Sequence, residues 1–583
     1  MNHPPLQRPS RRLRLLLATL PLVALVACGG GGGSSAEPAL PQLAPAVGAT
    51  LATCADLAAK VSIPNTTLTS VSLVATGGLT ATGITTPIPE HCLLRGQMNQ
   101  RTSAVDGRAY AIGFEMRLPT QWNGRFFYQA NGGIDGSVVT ATGEVGGGAP
   151  TTNGLSMGFA TMSSDAGHAA SYGPFFGLDP QARLDYGYQA VGSLTPTAKE
   201  LIRLAYGKGP DRSYFAGCSN GGRHAMVAAA RYADQYDGIL AGNPGFNLPK
   251  AAVSQLWGVQ QYASISTLGT TGLPDISSAF TPAEFKFIGE RILGKCDALD
   301  GATDGMVGDT KACQSGFSVA ADVPVCTGGR TGSCLTAGQK TVLANIFEGA
   351  RNTAGQALYS KFWFDPGLAG SNYAFWEYTA STALDPGAAA FIFTTPPSSM
   401  ASFLATTGLQ YGLNFSMDTD APKIFATTGS YTVSAMDFMA PPNPANLSTL
   451  KKRGAKLMVF HGVADGVFSP ADTAAWYDSL AAANGGDAGN FARLFLVPGM
   501  NHCSGGPAAD QFNMVSALVS WVEGGTAPDS VQAKARGAGS NVVNAELPAG
   551  WSAGRTRPLC PYPKVAKYRG TGDIESAASF SCQ

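Results

Sequence analysis

The sequence predicts an α/β fold that is interrupted by a large insertion. Short apolar runs alternate with Gly-rich turns and helical patterns between about residues 108 and 245, and the same alternation returns after about residue 450. Residues 246–442 lack it. Because a mostly parallel sheet alternates strands with helices, the flanking parts (51–245 and 443–583) predict one catalytic domain, and 246–442 predict an inserted lid domain.

The predicted strands are short runs of apolar residues that are bounded by turn residues. They are residues 110–118, 125–129, 159–163, 213–216, 456–460 and 493–497. A helical pattern at 471–483 separates the last two strands, as expected for a strand-helix-strand unit, and the chain contains no internal repeat.

The composition excludes several classes of protein. Only 13% of the 583 residues are charged, while 73 are Gly and 37 are Pro, which argues against a coiled coil and against highly charged disorder. Lys plus Arg and Asp plus Glu number 39 each, so no net charge would attract nucleic acid. We expect a small or weakly charged partner and a monomeric protein.

The N-terminus predicts export. Four arginines precede an apolar stretch, residues 15–27, that is too short to span a bilayer comfortably. The stretch ends in Leu25-Val26-Ala27-Cys28, which resembles a bacterial lipobox, so residues 1–28 predict a lipoprotein-type signal peptide with Cys28 lipidated. The alternative is ordinary cleavage nearby that discards Cys28. Residues 29–50 predict a flexible tether, and the protein is expected in the periplasm, anchored at the outer membrane or secreted.

The cysteine count agrees with export. Eleven Cys less a lipidated Cys28 leave ten, an even number whose thiols normally pair in an exported chain. The sequence alone allows many connectivities. A zinc site is not expected, because the chain has no CxxC motif and only six His.

The segment Gly217-Cys218-Ser219-Asn220-Gly221 predicts a catalytic nucleophile. A strand leads into this Gly-x-Ser-x-Gly motif, and an Ala-rich helical pattern at 224–236 follows it. A strand-to-helix turn of this kind exposes the Ser hydroxyl in α/β-hydrolases, so Ser219 is the predicted nucleophile and the catalytic domain is predicted to be an α/β-hydrolase domain.

The acid and the base are expected on loops that follow two later strands. In this fold the chain order is Ser, acid, His, and Asp465 and His502 come just after the strands at 456–460 and 493–497. His461 is an alternative base, with His168 and His224 weaker still. Asp472 is an alternative acid, although it falls within the following helical pattern.

Two backbone amides should stabilise the oxyanion of the tetrahedral intermediate. One is the amide of Asn220, directly after the nucleophile, and the second comes from the Gly-rich loop Asn131-Gly132-Gly133 after the strand at 125–129. The alternative for that loop is a simple Gly-rich turn.

Cys218 precedes the nucleophile and Cys503 follows the base, so a bond between them would join the two catalytic loops. This arrangement resembles the tannase and feruloyl esterase family, and the similarity extends roughly from Cys54 to Cys582. Residues 122–127, 176–185, 491–507 and 555–563 are similar to the terephthalate monoester hydrolases of that family. The resemblance implies a serine carboxylesterase for esters of aromatic acids, without an organic cofactor.

The resemblance also implies residue roles. It assigns Gly133 as the second oxyanion donor and places Gly132 and Phe468 at the substrate. The implied disulfides are Cys54–Cys92, Cys218–Cys503, Cys296–Cys313, Cys326–Cys334 and Cys560–Cys582.

The predicted lid contains an acidic loop and an aromatic segment. Asp297, Asp300 and Asp304 offer oxygen ligands of the kind that calcium prefers, although an acidic turn capped by a disulfide explains them equally well. The resemblance favours a structural Ca²⁺ ion with the carbonyls of Ala302 and Met306 as further ligands. Residues 359–393 hold ten aromatic residues, mostly expected in the lid core, and Trp376 is the predicted substrate contact among them.

The lid also departs from the terephthalate monoester hydrolases, which hold the free carboxylate of the substrate with a lid arginine. No Lys or Arg occurs here between Lys361 and Lys423. Because an unpaired buried carboxylate binds poorly, the sequence favours a neutral phenolic or cinnamoyl ester. The alternative is that an arginine from elsewhere in the chain substitutes for the lid arginine. The alternative functions are an acyltransferase or peptidase with the same triad, and a nonenzymatic, calcium-stabilised surface lipoprotein.

Overall fold

The computed structural model describes residues 40–583, so the predicted signal peptide, Cys28 and the first part of the tether lie outside the described residues. The folded part begins before residue 51. Ala49–Thr50 pairs antiparallel with Gln121–Trp122, and the amide of Ala46 donates to Glu523 at 2.8 Å. Backbone pairing of this kind needs no large apolar side chains, which is why composition alone placed these residues in the tether.

A nine-stranded sheet forms the centre of the described part of the chain. Its strands are β1 (Thr66–Val74), β2 (His91–Thr102), β3 (Ala109–Pro119), β4 (Arg125–Gln129), β5 (Ala160–Ser164), β6 (Arg212–Cys218), β7 (Gly238–Gly242), β8 (Lys456–Gly462) and β9 (Ala492–Val497). Their spatial order is β9-β8-β7-β6-β4-β5-β3-β2-β1. The pairs from β9 to β5 are parallel, and the remaining pairs are antiparallel.

The longer helices are α1 (Ala190–Tyr206), α2 (Asn220–Arg231), α3 (Leu248–Ala263), α4 (Pro282–Cys296), α5 (Ala337–Glu348), α6 (Pro470–Ala483) and α7 (Met514–Gly524). Shorter α-helices lie at Leu57–Lys60, Pro180–Leu184, Thr310–Gly316, Val319–Asp322, Ser371–Ala374, Ser381–Ala383, Asp385–Gly387, Met400–Leu404, Gly408–Asn414, Ala435–Met439 and Ser448–Lys452. Single turns of π-helix occur at Asp185–Gln189, Phe375–Ala380 and Ala388–Phe393, and 3₁₀ turns at Ala170–Leu178, Ile276–Ser278, Asp297–Asp300, Pro366–Ala369, Ala421–Phe425 and Ala577–Ser579. Small strand pairs lie at Thr267–Leu268 with Pro274–Asp275, Val531–Lys534 with Thr556–Leu559, and Ala566–Tyr568 with Phe580–Cys582.

Helices cover both faces of the sheet, which explains why its parallel strands are apolar throughout. Successive residues of β8 point to opposite faces. Leu457 and Val459 pack in a cluster with side chains of α1, α2 and α6, whereas Met458 and Phe460 pack with side chains of α7. Every residue of β8 is buried. The carboxyl ends of β4 and β6 to β9 therefore meet at one edge of a rigid, fully covered layer.

The inserted segment is built mainly from helices around an aromatic core. Phe280 and Phe285 stack with ring centroids 5.4 Å apart, and Phe347 and Phe364 stack at 4.4 Å. This cluster continues into Phe468 of the catalytic part. Leu40–Gln583 forms a single compact unit. Most of the ten aromatic residues between 359 and 393 are buried or partly buried, as expected for a lid core.

Five disulfides join the ten cysteines of the described residues, in the pairing that the resemblance implies. They are Cys54–Cys92, Cys218–Cys503, Cys296–Cys313, Cys326–Cys334 and Cys560–Cys582. Such a number of disulfides is typical of an exported protein. Within residues 40–583, no helix combines the length and the apolar character that crossing a bilayer requires.

Candidate active site

Ser219 lies at a sharp turn between β6 and α2. Its backbone is in an unusual conformation for a non-glycine residue, with φ 67° and ψ −129°. A Cβ atom on Gly217 or on Gly221 would lie 2.7 Å or 2.5 Å from the carbonyl oxygen of Ala130. The motif therefore needs glycines on both sides, because the loop after β4 passes directly against the turn.

The three predicted catalytic side chains form a continuous hydrogen-bonded line. Oγ of Ser219 lies 2.8 Å from Nε2 of His502, and Nδ1 of His502 lies 2.8 Å from Oδ2 of Asp465. With the tautomer that donates from Nδ1 to Asp465, Nε2 is free to accept the hydroxyl proton of Ser219. Asp465 follows β8 and His502 follows β9, so the sheet edge brings the three together over 283 residues of sequence.

Asp465 is a buried carboxylate that accepts hydrogen bonds from several surrounding elements. Oδ1 accepts the amides of Val467 (2.9 Å) and Phe468 (3.0 Å), and Oδ2 also accepts Nδ2 of Asn243 (2.7 Å). Burial alone would raise the pKa of Asp465. The hydrogen bonds and charges of His502 and His461 outweigh burial and hold this pKa below its usual range.

The alternative residues lie elsewhere. His461 is fully buried, with Nδ1 2.9 Å from the hydroxyl of Thr473 and Nε2 3.1 Å from the carbonyl of Phe468. Its Nε2 also lies 3.4 Å from Oδ2 of Asp465, so His461 contacts the acid rather than Ser219. Asp472 accepts from Asn247 at 2.8 Å, inside the first turn of α6. Neither replaces the predicted base or acid in the line to Ser219.

The predicted oxyanion donors lie beside Ser219. A Cβ placed on Gly132 would be 3.8 Å from Cβ of Ser219, so the Gly-rich loop borders the nucleophile. In residues 40–583, the backbone amides of Gly133 and Asn220 have no hydrogen-bond acceptor. The amide of Asn220 is also the first of α2, where the helix dipole favours negative charge.

Two aromatic side chains flank the base. The rings of Trp376 and Phe468 lie 4.8 Å and 5.2 Å from the ring of His502, both edge to face. Trp376 comes from the inserted segment, so that segment reaches the catalytic residues. It also holds the backbone of His502, whose amide donates to Oδ1 of Asn372 at 3.1 Å.

Sequence reasoning missed Asn243 and Asn372. Asn243 follows β7 directly, and the rule that found Asp465, a polar residue at the carboxyl end of a parallel strand, would have identified it. Asn372 carries no such signal, because it lies in the short helix Ser371–Ala374 of the insertion and not at the end of a strand. The disulfide between Cys218 and Cys503 (Cα–Cα 6.1 Å) links the turn of the nucleophile to the loop of the base.

The acidic loop of the insertion is held by its own backbone. Asp297 accepts the amides of Asp304 and Gly305, each at 3.0 Å, and Asp304 pairs with Arg557. Asp300 is only 4% exposed. Burial, together with the neighbouring carboxylates of Asp304 and Asp297, raises the pKa of Asp300 to about 6.

This excess of buried negative charge is what a cation would relieve. Throughout the described part of the chain, no three His, Cys, Asp or Glu side chains are grouped closely enough to hold a metal ion by themselves. Backbone carbonyls such as those of Ala302 and Met306 would have to complete the set. All of these donors are oxygen atoms, which fits calcium in chemical type.

The chain is similar to known esterases over nearly its whole length. The family model described as "Tannase and feruloyl esterase" matches residues 96–583. Mono(2-hydroxyethyl) terephthalate hydrolase of Piscinibacter sakaiensis is 41% identical, with 86% of each chain covered. A probable feruloyl esterase B-2 of Neosartorya fischeri is 26% identical, over 91% of this chain and 95% of the relative.

A solved structure agrees with these relatives. The crystal structure of feruloyl esterase B from Aspergillus oryzae has a TM-score of 0.70 at 25% identity, over 91% of this chain and 99% of that chain. The predicted α/β-hydrolase fold with an inserted lid and the predicted family are thereby confirmed. The chain belongs to the tannase and feruloyl esterase family of carboxylic ester hydrolases.

Proposed function

We propose that the protein is an exported serine carboxylesterase that hydrolyses esters of aromatic carboxylic acids, with a preference for neutral substrates. The observation that carries this proposal is the hydrogen-bonded line from Ser219 through His502 to Asp465, at the edge of the sheet. Membership of an esterase family supports the reaction type.

In the first half of the reaction, Oγ of Ser219 attacks the ester carbonyl carbon while Nε2 of His502 takes the hydroxyl proton. The carbonyl oxygen becomes an oxyanion, to which the amides of Gly133 and Asn220 donate. The intermediate collapses, the bond to the alcohol oxygen breaks, and His502 returns the proton to the leaving alcohol. An acyl-Ser219 ester remains.

In the second half, His502 takes a proton from water, and the hydroxide oxygen attacks the acyl carbon. The bond to Oγ then breaks, Ser219 regains its proton from His502, and the aromatic acid leaves. Asp465 stays ionised throughout and stabilises the imidazolium, which agrees with the direction of its pKa.

The preference for neutral esters rests on the charge of the insertion. Residues 362–422, which include Trp376, contain no Lys or Arg. The buried side chain of Arg183 reaches this segment, but it donates to the carbonyl oxygens of Phe391 (2.5 Å) and Thr394 (3.1 Å). A substrate carboxylate would therefore lose its hydration without gaining a cationic partner from this segment. Trp376 and Phe468 provide apolar surfaces suited to a flat aryl group, with Gly132 at the reacting carbonyl.

A panel of esters tests the proposal. Wild type and Ser219→Ala are compared on methyl ferulate, methyl gallate, methyl benzoate and mono(2-hydroxyethyl) terephthalate, with the released acid measured by chromatography. We expect wild type to hydrolyse the neutral esters with the higher kcat/KM and Ser219→Ala to be inactive. Faster hydrolysis of the terephthalate monoester would contradict the charge argument, and an active Ser219→Ala would contradict the triad.

Two other enzymatic functions use the same triad. An acyltransferase would pass the acyl group to an alcohol rather than to water, and a peptidase would cleave amides. Product analysis with a competing alcohol, and with the anilide of ferulic acid, separates them from the esterase. If the protein is instead a nonenzymatic surface lipoprotein, no ester is hydrolysed and no serine-directed phosphonate labels Ser219.

The proposal includes three further features. Calcium binds in the acidic loop through Asp297, Asp300, Asp304 and the carbonyls of Ala302 and Met306, and it stabilises the insertion without taking part in catalysis. The mature protein carries lipid on Cys28 and meets a membrane only through this anchor, in the periplasm or at the outer membrane. It acts as a monomer and binds no nucleic acid. Mass spectrometry of the mature N-terminus tests the lipid anchor, and size-exclusion chromatography with light scattering tests the monomeric state.

A further inference from the structure

A buried carboxylate, that of Asp135, joins the two halves of the proposed oxyanion hole, beside a longer contact of 3.5 Å from Nδ2 of Asn220 to the carbonyl of Asn131. Asp135 lies two residues after Gly133 in the loop that follows β4, and its side chain is 2% exposed. Its Oδ2 accepts Nδ2 of Asn220 at 2.7 Å. Gly133 and Asn220 supply the two proposed amide donors, and they come from separate parts of the chain, so this contact bridges the two.

The side chain of Asn220 is fixed from its other end as well. Its Oδ1 accepts Nε of Arg223 at 2.7 Å. Arg223 is fully buried, and its remaining nitrogens donate to the carbonyls of Gly187 (2.6 Å) and Tyr186 (3.0 Å). Asn220 therefore cannot rotate without breaking a hydrogen bond to a buried ionisable side chain on either side.

The same carboxylate also reaches the next turn of α2. Nε2 of His224, four residues after Asn220, lies 2.9 Å from Oδ2 of Asp135. Two side chains on one face of α2 thus converge on one oxygen atom. Asp135 has a left-handed backbone (φ 57°), a conformation that is uncommon for a residue other than glycine, and these contacts hold it there.

The glycine side of the site is held in a similar way. The hydroxyl of Tyr186 donates to the carbonyl of Gly133 at 3.3 Å, and Nε2 of His168 lies 2.9 Å from the carbonyl of Ile134. The backbone carbonyl of Tyr186 in turn accepts a hydrogen bond from Arg223, which is the residue that also holds the side chain of Asn220. The loop and the start of α2 are therefore coupled through one buried polar network.

From this juxtaposition we propose that Asp135 is a positioning residue, which sets the distance between the amides of Gly133 and Asn220 and thereby tunes stabilisation of the oxyanion. The inference rests on the proposed esterase function. An oxyanion hole works only when both donors point at the position of the developing charge, about 2.7–3.1 Å away. A loosened bridge would weaken an interaction made in the transition state and leave substrate binding almost unchanged.

The test compares Asp135→Ala with a matched control, Asp165→Ala. Asp165 is a partly buried carboxylate near the same loop, but within the described part of the chain its side chain accepts only from the backbone amides of Gly113 (2.9 Å) and Gly167 (2.8 Å). Asp135→Asn, which keeps one acceptor oxygen, measures rescue. The readouts are kcat and KM on methyl ferulate, the melting temperature, and Ki for phenylboronic acid. This acid forms a bond from Oγ of Ser219 to boron, releases a proton to His502, and places a boron-bound oxygen in the oxyanion position.

We expect Asp135→Ala to lower kcat and to raise Ki by the same factor, about 10- to 100-fold, with KM within about threefold of wild type. Asp135→Asn should recover part of both losses. Asp165→Ala should keep kcat and Ki within about twofold, even if its melting temperature falls. If Asp135→Ala does not fold, Asn220→Ala is measured in its place. This variant keeps the backbone amide of residue 220 but removes the hydrogen bond to Asp135.

The inference is overturned if Asp135→Ala, or Asn220→Ala in its place, keeps the kcat and Ki of wild type. It is also overturned if Asp165→Ala lowers kcat and raises Ki by as much as that variant does. If wild type hydrolyses the ester and Asp135→Ala hydrolyses it equally well, the result contradicts the inference but not the proposed function. A wild type without esterase activity would overturn the proposed function together with the inference.

Discussion

The catalytic edge of the sheet and the insertion each bury a carboxylate, and the two carboxylates behave in opposite ways. Asp465, at the edge, is 1% exposed and accepts hydrogen bonds from backbone amides, Asn243 and His502. The charges and hydrogen bonds of His502 and His461 outweigh burial and hold the pKa of Asp465 below its usual range. Asp385, in the insertion, is 6% exposed, and its Oδ2 has no hydrogen-bond partner among residues 40–583. Burial, together with the neighbouring Glu377, raises the pKa of Asp385 to about 8.

The difference lies in what surrounds each group. The carboxyl ends of parallel strands place several loops around one point, so donors for Asp465 come from β7, β8 and β9 together. The insertion packs short helices around aromatic rings, which offer few donors to Asp385. The catalytic edge is thus preorganised for an ion, whereas the insertion favours a neutral carboxyl group.

The largest expected effect is on the catalytic side of this comparison. Asp465→Asn should lower kcat by about 10³- to 10⁴-fold, because the amide cannot hold His502 in the productive tautomer or stabilise the imidazolium. Asp472→Asn is the matched control, seven residues further along and outside the line to Ser219, and it should stay within about threefold. Steady-state kinetics on methyl ferulate measures both, and equal losses would contradict the assignment of the acid.

The second prediction concerns the disulfide that joins the two catalytic loops. Replacing both Cys218 and Cys503 with Ala should cost about 2–5 kcal/mol of unfolding free energy and lower kcat at least about tenfold, because it releases a cross-link between residues 285 apart. Replacing both Cys326 and Cys334, which are 8 residues apart in the insertion, is the control. That control should leave kcat unchanged. Chemical denaturation and kinetics compare the two, and a similar loss of kcat in both would refute a specific role at the site.

The third prediction concerns the unsatisfied carboxyl group of the insertion. The pKa of Asp385 rises from 3.8 to about 8 on folding, so the unfolded chain releases its proton first as the pH increases. Its contribution to stability is therefore fully present below about pH 4 and is lost progressively up to about pH 8, by at most about 1.4 kcal/mol per pH unit. Asp385→Asn cannot ionise and should melt at least about 2 °C above wild type at pH 8.

At pH 3.5, below the unfolded pKa, the melting temperatures of Asp385→Asn and wild type should nearly agree. Thermal unfolding at the two pH values measures the difference. A gap of the same size at both would show that ionisation of Asp385 does not matter.

The smallest expected effect is that of calcium on the acidic loop. Calcium at about 100 times its Kd should add up to about 2.7 kcal/mol of stability, and a chelator should remove this gain without changing kcat. Asp300→Asn should abolish the response in melting temperature. Asp309→Asn is the control, since Asp309 accepts from Lys567 at 2.7 Å instead, and it should keep the response. A chelator that leaves the melting temperature of wild type unchanged would contradict the site.

The strands and the catalytic loops could be predicted because their signals are local. The observed strands β3 to β6, β8 and β9 lie within about two residues of the predicted ones. Strand β7 was missed because Gly238–Gly242 is rich in small residues. Strand β1 was missed because most of its side chains are polar and exposed, and strand β2 (His91–Thr102) was missed as well, since its second half, from Gln97 onward, is mostly polar. Helix α2 begins at Asn220 rather than at residue 224, since it starts directly at the turn of Ser219.

The supporting contacts could not be predicted in the same way. The amide of His502 donates to Asn372, and Asp135 accepts from Asn220, across 130 and 85 residues of sequence. Each contact depends on how the insertion or a loop packs against the sheet edge, and no periodicity in the sequence records that packing. The sequence thus predicts the reacting groups better than the residues that hold them.

The most direct test of the central claim is covalent labelling. Wild type is treated with an aryl ester phosphonate and digested with its disulfides intact, and the labelled peptide is identified by mass spectrometry. We predict one phosphonyl group per chain, on Ser219, with complete loss of ester hydrolysis and no labelling of Ser219→Ala. A label on another residue, or an unlabelled protein that still hydrolyses esters, would contradict Ser219 as the nucleophile.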